Sequence, residues 1–397
     1  MLINLKDYIK TIESGKRPKG GAIESGIPSL GGEHIDNFGG LIISDSKMKY
    51  VPQDYYEKLN KGIIKKNDIL VVKDGATTGK VAIVDEKFTL PEACINEHLF
   101  ILRPKEQIKP KFLFYYFFSE VGKKEILKDF RGATVGGISK EFIDINLDIP
   151  SKDNQEKIIK VLDVAKNIID KRKAQIEALD ELVKSQFIEM FGDPVKNPLG
   201  WELKPFLESG NCKNGMNFSA TETGIELQYL GVGDFKDLSK IEDTNNLGKV
   251  SLNKMPSSEY LLQDGDIVFV RSNGNKALVG RCLAVYPNGV ATTYSGFCIR
   301  YRKTDENLEI PYLLQVLKTD SMRKNMAGRG ANIQNLNQQI LGALMIPVPP
   351  LELQKQFTNF IEQVDKLKFE MEKSLKELED NFNSLMQKAF NGQLFNK

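Results

Sequence analysis

The chain has 397 residues, of which 27% are charged and 41% hydrophobic, with a formal charge of +2. This composition suits a globular protein with two cored domains and excludes a largely disordered chain or a third domain of ordinary size. No window reaches the roughly 18 apolar residues of a membrane helix, and Met1 to Asp7 carries no basic stretch leading into an apolar one, so we expect a cytoplasmic protein without membrane contact. A near-neutral total neither demands nor excludes nucleic acid, because a basic face can be balanced by an acidic one.

In chain order, the first half opens with a basic, glycine-rich loop, Ser14-Gly15-Lys16-Arg17-Pro18-Lys19-Gly20. Short apolar runs bounded by turn residues predict strands at 68–72, 80–84 and 99–102, and a helix is predicted at 110–118. The first two strands flank Lys73-Asp74-Gly75-Ala76-Thr77-Thr78-Gly79-Lys80, a tip with a cation at each end, and Arg131-Gly132-Ala133-Thr134 forms a third polar loop. From Ile158 the apolar positions Ile158, Leu162, Ala165, Ile169, Ile176, Leu179 and Val183 fall alternately four and three apart, with Arg172 as the one polar member. That is a heptad seam. A helix over about 157–190 would be roughly 50 Å long. Asp153 and Glu156 resemble a capping box at its start, and Gly192-Asp193-Pro194 supplies the stop.

The second half repeats the first. Lys66 to Val72 aligns with Asp264 to Val270 and Arg131-Gly132-Ala133 with Arg329-Gly330-Ala331, both at an offset of 198, while Pro150, Gln155 and Phe191 fall on Pro349, Gln354 and Phe390 at 199. Strands are accordingly expected at 266–270, 282–285 and 297–301 and a helix at 310–318. The tip becomes Arg271-Ser272-Asn273-Gly274-Asn275-Lys276 and runs on to Gly280-Arg281, Asn211-Cys212-Lys213-Asn214-Gly215 stands for the first loop, and Arg329 to Asn335, with Asn332 and Gln334, for the third. The second seam is Phe357, Ile361, Val364, Met371, Leu375, Leu378, Phe382 and Leu385, with Lys368 polar. Such repetition fixes architecture before any motif does.

The expected fold is α+β: two pseudo-symmetric α+β domains, 1–150 and 194–349, joined by two long heptad helices, 151–193 and 350–397, that form an antiparallel coiled coil. A helix longer than a small domain is wide must pack beyond its own half, and a pseudo-two-fold axis sends the second back along the first, as a rigid bar between two heads. Two helices each lying on its own domain are the alternative, but seam continuity over some four heptads favours the coiled coil.

Chemistry-bearing constellations are sparse. Cys94, Cys212, Cys282 and Cys298 form no CxxC pair, and His34 and His98 both lie in the first half, so buried free thiols are expected, no metal site, and no histidine chemistry that respects the repeat. The Gly75 to Lys80 tip lacks P-loop spacing and has Val81 where magnesium needs Ser or Thr. Asn197-Pro198-Leu199-Gly200-Trp201 comes nearest to a DNA methyltransferase motif but has Leu third. We therefore expect a chain that binds and positions, without catalytic residues or cofactor. The cations of the tips suit phosphates and the Asp, Asn, Ser and Thr between them suit base edges. The candidate DNA-binding set is Lys16, Arg17, Lys19, Lys73, Asp74, Thr77, Thr78, Lys80, Arg131 and Thr134, with Lys213, Asn214, Arg271, Ser272, Asn273, Asn275, Lys276, Arg281, Arg329, Asn332 and Gln334.

Two half-repeats of variable domain plus heptad helix resemble the DNA-specificity subunit of type I restriction-modification systems. The likeness includes Met190-Phe191-Gly192-Asp193-Pro194 running into Asn197 to Glu202 and the helix starts Ile149-Pro150 with Asn154-Gln155-Glu156 and Pro349-Pro350-Leu351-Glu352-Leu353-Gln354, although nothing before Leu2 matches Trp201. The resemblance implies that each domain reads half of a bipartite double-stranded DNA site. It also implies that the helices set the spacer and dock two methyltransferase subunits, and that a motor nuclease subunit joins for cleavage, both activities lying in those partners. A coiled-coil protein-interaction scaffold and an enzyme with its site in one half are the competing readings.

Overall fold

The computed structural model of the chain describes residues 2–44, 48–132, 136–219, 221–235, 240–327 and 335–395. Two compact units emerge, Met1–Lys173 with Lys373–Lys397, and Ala174–Glu372, so the boundary cuts through both long helices. These helices are Lys152–Phe191 and Leu351–Phe390, each of 40 residues. Among the described residues no helix is long and apolar enough to cross a membrane.

In the first unit an antiparallel sheet runs in the order Ile9–Ser14, Leu99–Pro104, Ile69–Val72, Val81–Ile83, with Ile69 opposite Leu102 and Ile83. A second sheet sets Lys49–Val51 and Cys94–Ile95 on either side of Ile27–Leu30, and the Pro110–Phe118 helix closes the core. The second unit repeats this plan: Gly210–Asn214, Cys298–Lys303, Asp266–Val270 and Cys282–Val285, extended by Lys240–Ile241, beside a sheet of Gly248–Leu252, Ile225–Leu230 and Thr292–Tyr294. The central strands are apolar over Ile69 to Val72 and Ile267 to Val270 because both faces are covered, and Asp266 at the start of the second is buried with them. The expected strands and the helices at 110–118 and 310–318 appear within two residues of their predicted bounds, while the first long helix begins five residues before the expected 157.

Each helix is tied to its own domain by one buried glutamine. Gln155 Oε1 accepts from the Lys109 backbone N–H (2.8 Å), and its Nε2 donates to the Gln107 (3.0 Å) and Pro150 (3.1 Å) carbonyls. Gln354 repeats all three bonds with Glu309 (2.9 Å), Asn307 (2.9 Å) and Pro349 (2.8 Å). A second duplicated clamp is a two-pronged ion pair, Arg103 on Asp68 (2.6 and 2.7 Å) and Arg302 on Asp266 (2.8 and 2.7 Å). Burial pushes the Asp68 carboxyl above its ordinary value against the pull of Arg103.

The far half of each helix completes a core that its own repeat did not begin. In the first unit Phe382 meets Tyr115 (6.3 Å) and Phe390 meets Phe112 (5.5 Å), and Met386 and Ala389 are buried beside them. In the second unit Phe187 packs on Phe357 (5.6 Å) and Phe191 on Tyr312 (4.7 Å). A buried aromatic contributes roughly 1.5–3 kcal/mol over an exposed one, so these rings are a large part of each core.

Within each unit the paired segments are antiparallel. Lys173 pairs with Glu379 (2.9 Å) while Asn154 reaches the Phe395 carbonyl (3.0 Å), and in the second unit Lys368 grips Asp180 (2.7 and 2.8 Å). The seam residues divide between the units. Ile158, Leu162, Ala165, Ile169, Leu375, Leu378, Phe382 and Leu385 line the first core, and Ile176, Leu179, Val183, Phe357, Ile361, Val364 and Met371 are buried or half-buried in the second unit.

Two local expectations are corrected. The first long helix starts at Lys152, so Asp153 is already helical. Ser151 Oγ accepts from the Asn154 N–H (3.3 Å) in the capping role, while Glu156 turns to Lys109. Asn211 to Asn214 form a strand, not a loop; the counterpart of Lys16 to Lys19 begins after Gly215.

Replacing Gln354 by Ala leaves the Glu309 N–H and two carbonyls buried without partners, so the second unit should lose roughly 1–3 kcal/mol or more, read as an earlier denaturant transition. Burial raises the thiols of Cys282 to about 11 and of Cys212 and Cys298 to about 12. At pH 8 native protein should therefore react slowly with a thiol reagent and denatured protein should release all four cysteines.

Candidate nucleic-acid interface

Three loops meet at one end of the first unit's sheets, two of them on the turn Asn96-Glu97-His98 and the third on Lys73. Lys73 donates its backbone N–H to the His98 carbonyl (2.8 Å) and its ammonium to the Glu97 carbonyl (3.3 Å), and Asp74 bonds the His98 imidazole. The Arg131 loop joins through Ile138 N–H to Lys73 O (2.8 Å) and through the mutual bonds of Arg131 and Gly137 (2.9 and 3.0 Å). The basic loop arrives with Arg17 3.6 Å from Glu97. Gly15 makes that crossing possible, because a Cβ there would lie 2.1 Å from the Asn96 carbonyl oxygen. Lys16, Arg17, Lys49, Asn96, Glu97 and His98 share a cleft of about 90 Å³.

The second unit builds the same junction from different side chains. Arg271 N–H (2.8 Å) and Ser272 N–H (3.3 Å) donate to the Phe297 carbonyl, and Leu336 N–H donates to Arg271 O (2.9 Å), as Ile138 does to Lys73. The Arg271 guanidinium reaches the Gly296 carbonyl (3.4 Å). Gly215 repeats the crossing, with a Cβ position 2.0 Å from Ser295 O.

The structure therefore brings together Lys16, Arg17, Lys73, Asp74 and Arg131 in one unit and Arg271 and Ser272 in the other. Lys19 is exposed on the basic loop. Arg17 and Arg131 are also open to solvent, although Arg131 lies 3.2 Å from Asp129. Thr78 closes the first tip on itself by donating to Gly75 O (2.7 Å), and Thr77 lies over Gly32. Lys80 leans away to Asn37 (2.6 Å). In the second tip Asn273 and Asn275 accept from the Asn275 (2.7 Å) and Ala277 (3.1 Å) N–H groups and so shape their own loop. Lys276 opens a short helical turn, and Arg281 is half-buried beyond it. Lys213 is drawn along its strand into an ion pair with Glu259 (2.8 Å) over the Tyr260 ring, a hydrogen bond that holds its ammonium above the ordinary value. Asn214 accepts from Gln338 (3.3 Å). Thr134, Arg329, Asn332 and Gln334 lie outside the described residues.

Sequence reasoning missed the hub itself: Asn96, Glu97 and His98, with Ser295, Gly296 and Phe297 as counterparts. The signal was present, since His98 and Phe297 stand 199 apart, directly before matched strands. Among the described residues no cluster of three or more His, Cys, Asp or Glu could hold a metal ion.

The sequence profile of the type I restriction modification DNA specificity domain matches residues 26–178 and 201–380. The chain is 25% identical to the StySPI specificity subunit of Salmonella potsdam, over 87% of this chain and 78% of that one. It is 23% identical to the EcoKI specificity subunit of Escherichia coli K12, with the same coverage. In fold it resembles a chain from a type I restriction-modification system solved for its assembly and conformational transition (TM-score 0.60, 17% identity, 99% and 98% covered). It also resembles the specificity subunit from M. genitalium (TM-score 0.50, 17% identity, 98% and 96% covered). With the profile covering most of its length in two tandem matches, the chain belongs to the type I restriction-modification DNA specificity family.

Proposed function

We propose that this protein is the non-catalytic subunit that recognises a bipartite double-stranded DNA site, domain 1–150 reading one half-site and domain 194–349 the other. The observation that carries the reading is the duplicated loop junction, where backbone bonds of one pattern gather Lys16, Arg17, Lys73 and Arg131 in one unit and Arg271 in the other. Cations on a rigid polar edge suit phosphates, and the Asp, Ser and Asn beside them suit base edges.

The helices 151–193 and 350–397 set the spacer and dock methyltransferase subunits, two per complex, with a nuclease subunit added where cleavage occurs, all in the cytoplasm. Support for docking comes from apolar side chains left open on these helices: Val164 and Ile168 in the first unit, and Leu182, Ile188, Leu367 and Phe369 in the second, Phe369 being 66% exposed. Val164 and Ile168, four apart on one helix face, are the kind of neighbouring apolar groups that an interaction surface uses.

In a complex reconstituted with methyltransferase subunits, Arg17→Ala combined with Arg131→Ala should weaken DNA binding and lower the slope of log affinity against log salt by about 0.9 for each phosphate left without its cation. Salt-independent or absent binding by the wild-type complex would favour the scaffold reading. Deleting one heptad from both helices removes about 10 Å of rise, or roughly three base pairs at about 3.4 Å each. Methylome sequencing should then show a shorter spacer between unchanged half-sites, and an unchanged spacer would rule out the ruler.

A further inference from the structure

The two loop junctions share a backbone and differ at their centre. In the first unit His98 donates its N–H to Asn96 Oδ1 (2.9 Å) and its carbonyl accepts from Lys73 (2.8 Å). In the second, Phe297 donates to Ser295 Oγ (3.1 Å) and its carbonyl accepts from Arg271 (2.8 Å) and Ser272 (3.3 Å). Both residues are thus pinned at N–H and C=O, on the turn that the tip and the first loop meet, the third loop joining through Lys73 or Arg271. Their side chains are chemically opposite. His98 is coupled to Asp74 and stands 3.6 Å from Glu97, a hydrogen-bonding group among carboxylates. Phe297 is 59% exposed, beside Arg271 and Ser272, and among the described residues its ring stacks on no other aromatic. Ser272 stands where the first unit has Asp74, so the dyad disappears together with the imidazole.

We propose that this position is the specificity-determining residue of each half-site: His98, with Asp74, reads a base edge by hydrogen bonding, and Phe297 reads its half-site by apolar contact with a base. The apolar group that the major groove offers is the thymine 5-methyl. A phenyl ring has nothing to offer a phosphate, and Arg271 beside it already supplies the cation. The proposal rests on the DNA-reading function above and goes beyond it by assigning base readout to two residues of the turn beside the cationic tips.

The test uses the full chain assembled with methyltransferase subunits and duplex libraries randomised at each half-site. Phe297→Ala should relax preference at one or two positions of the second half-site by about 5- to 100-fold, leave the first half-site unchanged, and keep the wild-type salt slope. His98→Ala should do the converse. Replacing thymine by uracil at the affected position should weaken wild-type binding and leave Phe297→Ala indifferent; equal wild-type binding to both bases would overturn the methyl contact. Phe297→Leu, which keeps apolar surface, should retain part of the preference and supplies the readout if the alanine variant fails to fold. Unaltered preferences in both variants, or a weakening spread evenly over all sequences, would overturn the proposal while a specific wild-type complex still upheld the DNA-reading function. A wild-type complex with no bipartite preference would instead sink that function itself.

Discussion

The structure depends on a buried amide. At the corner where each domain hands over to its long helix, one backbone N–H and two carbonyls face inward with no strand or helix to satisfy them, and Gln155 or Gln354 fills all three. A carboxylate could not donate, a hydroxyl could not reach both sides, and an apolar side chain would leave each group unpaired in a dry site. Because the amide's bonds are directional, they fix the angle at which the helix leaves the domain. A helix of 40 residues amplifies any error in that angle along its length, so a precise corner is a condition for its far end to meet a core.

What waits at the far end is aromatic. Phe187 and Phe191 in one unit, and Phe382 and Phe390 in the other, supply rings to cores whose remaining members come from elsewhere in the chain. Each compact unit is therefore built from both repeats, which is why the units cut across the linear order of domain, helix, domain, helix. The half-buried cations Lys173 and Lys368 meet Glu379 and Asp180 only in this pairing of the segments, since a slipped alignment would separate them from their carboxylates.

Much of this was legible in the residues. Period and offset located the strands, the two helices and the seam, because burial on one face leaves an alternation that survives in a linear string. The cations of the tips were visible as charge. Other features were not. Gln155 is polar and sits at a helix start, so composition alone would place it in solvent; its burial comes from carbonyls 5 and 48 residues away. Ser151 displaced Asp153 as the cap because the helix begins at Lys152, nearly two turns before its apolar pattern, which only starts at Ile158. Lys213 looked like a loop cation, but the strand that carries it pairs with Cys298–Lys303 and turns its ammonium to Glu259. The hub at Glu97-His98 escaped notice because its importance lies in backbone atoms, and backbone bonds carry no residue code.

That last point separates the two layers of the interface. Many of the bonds that assemble the loops run between main-chain groups, at crossings that only glycine permits, so side chains at the junction can differ between the halves while the backbone pattern is kept. Lys73 and Arg271 keep a cation where the frame needs one beside the turn, while Asp74 gives way to Ser272 and His98 to Phe297. A rigid frame lowers the ordering cost of recognition, and readout by groups standing on it then depends on their own donor, acceptor or apolar character. The two halves thus differ where chemistry is presented and agree where geometry is set.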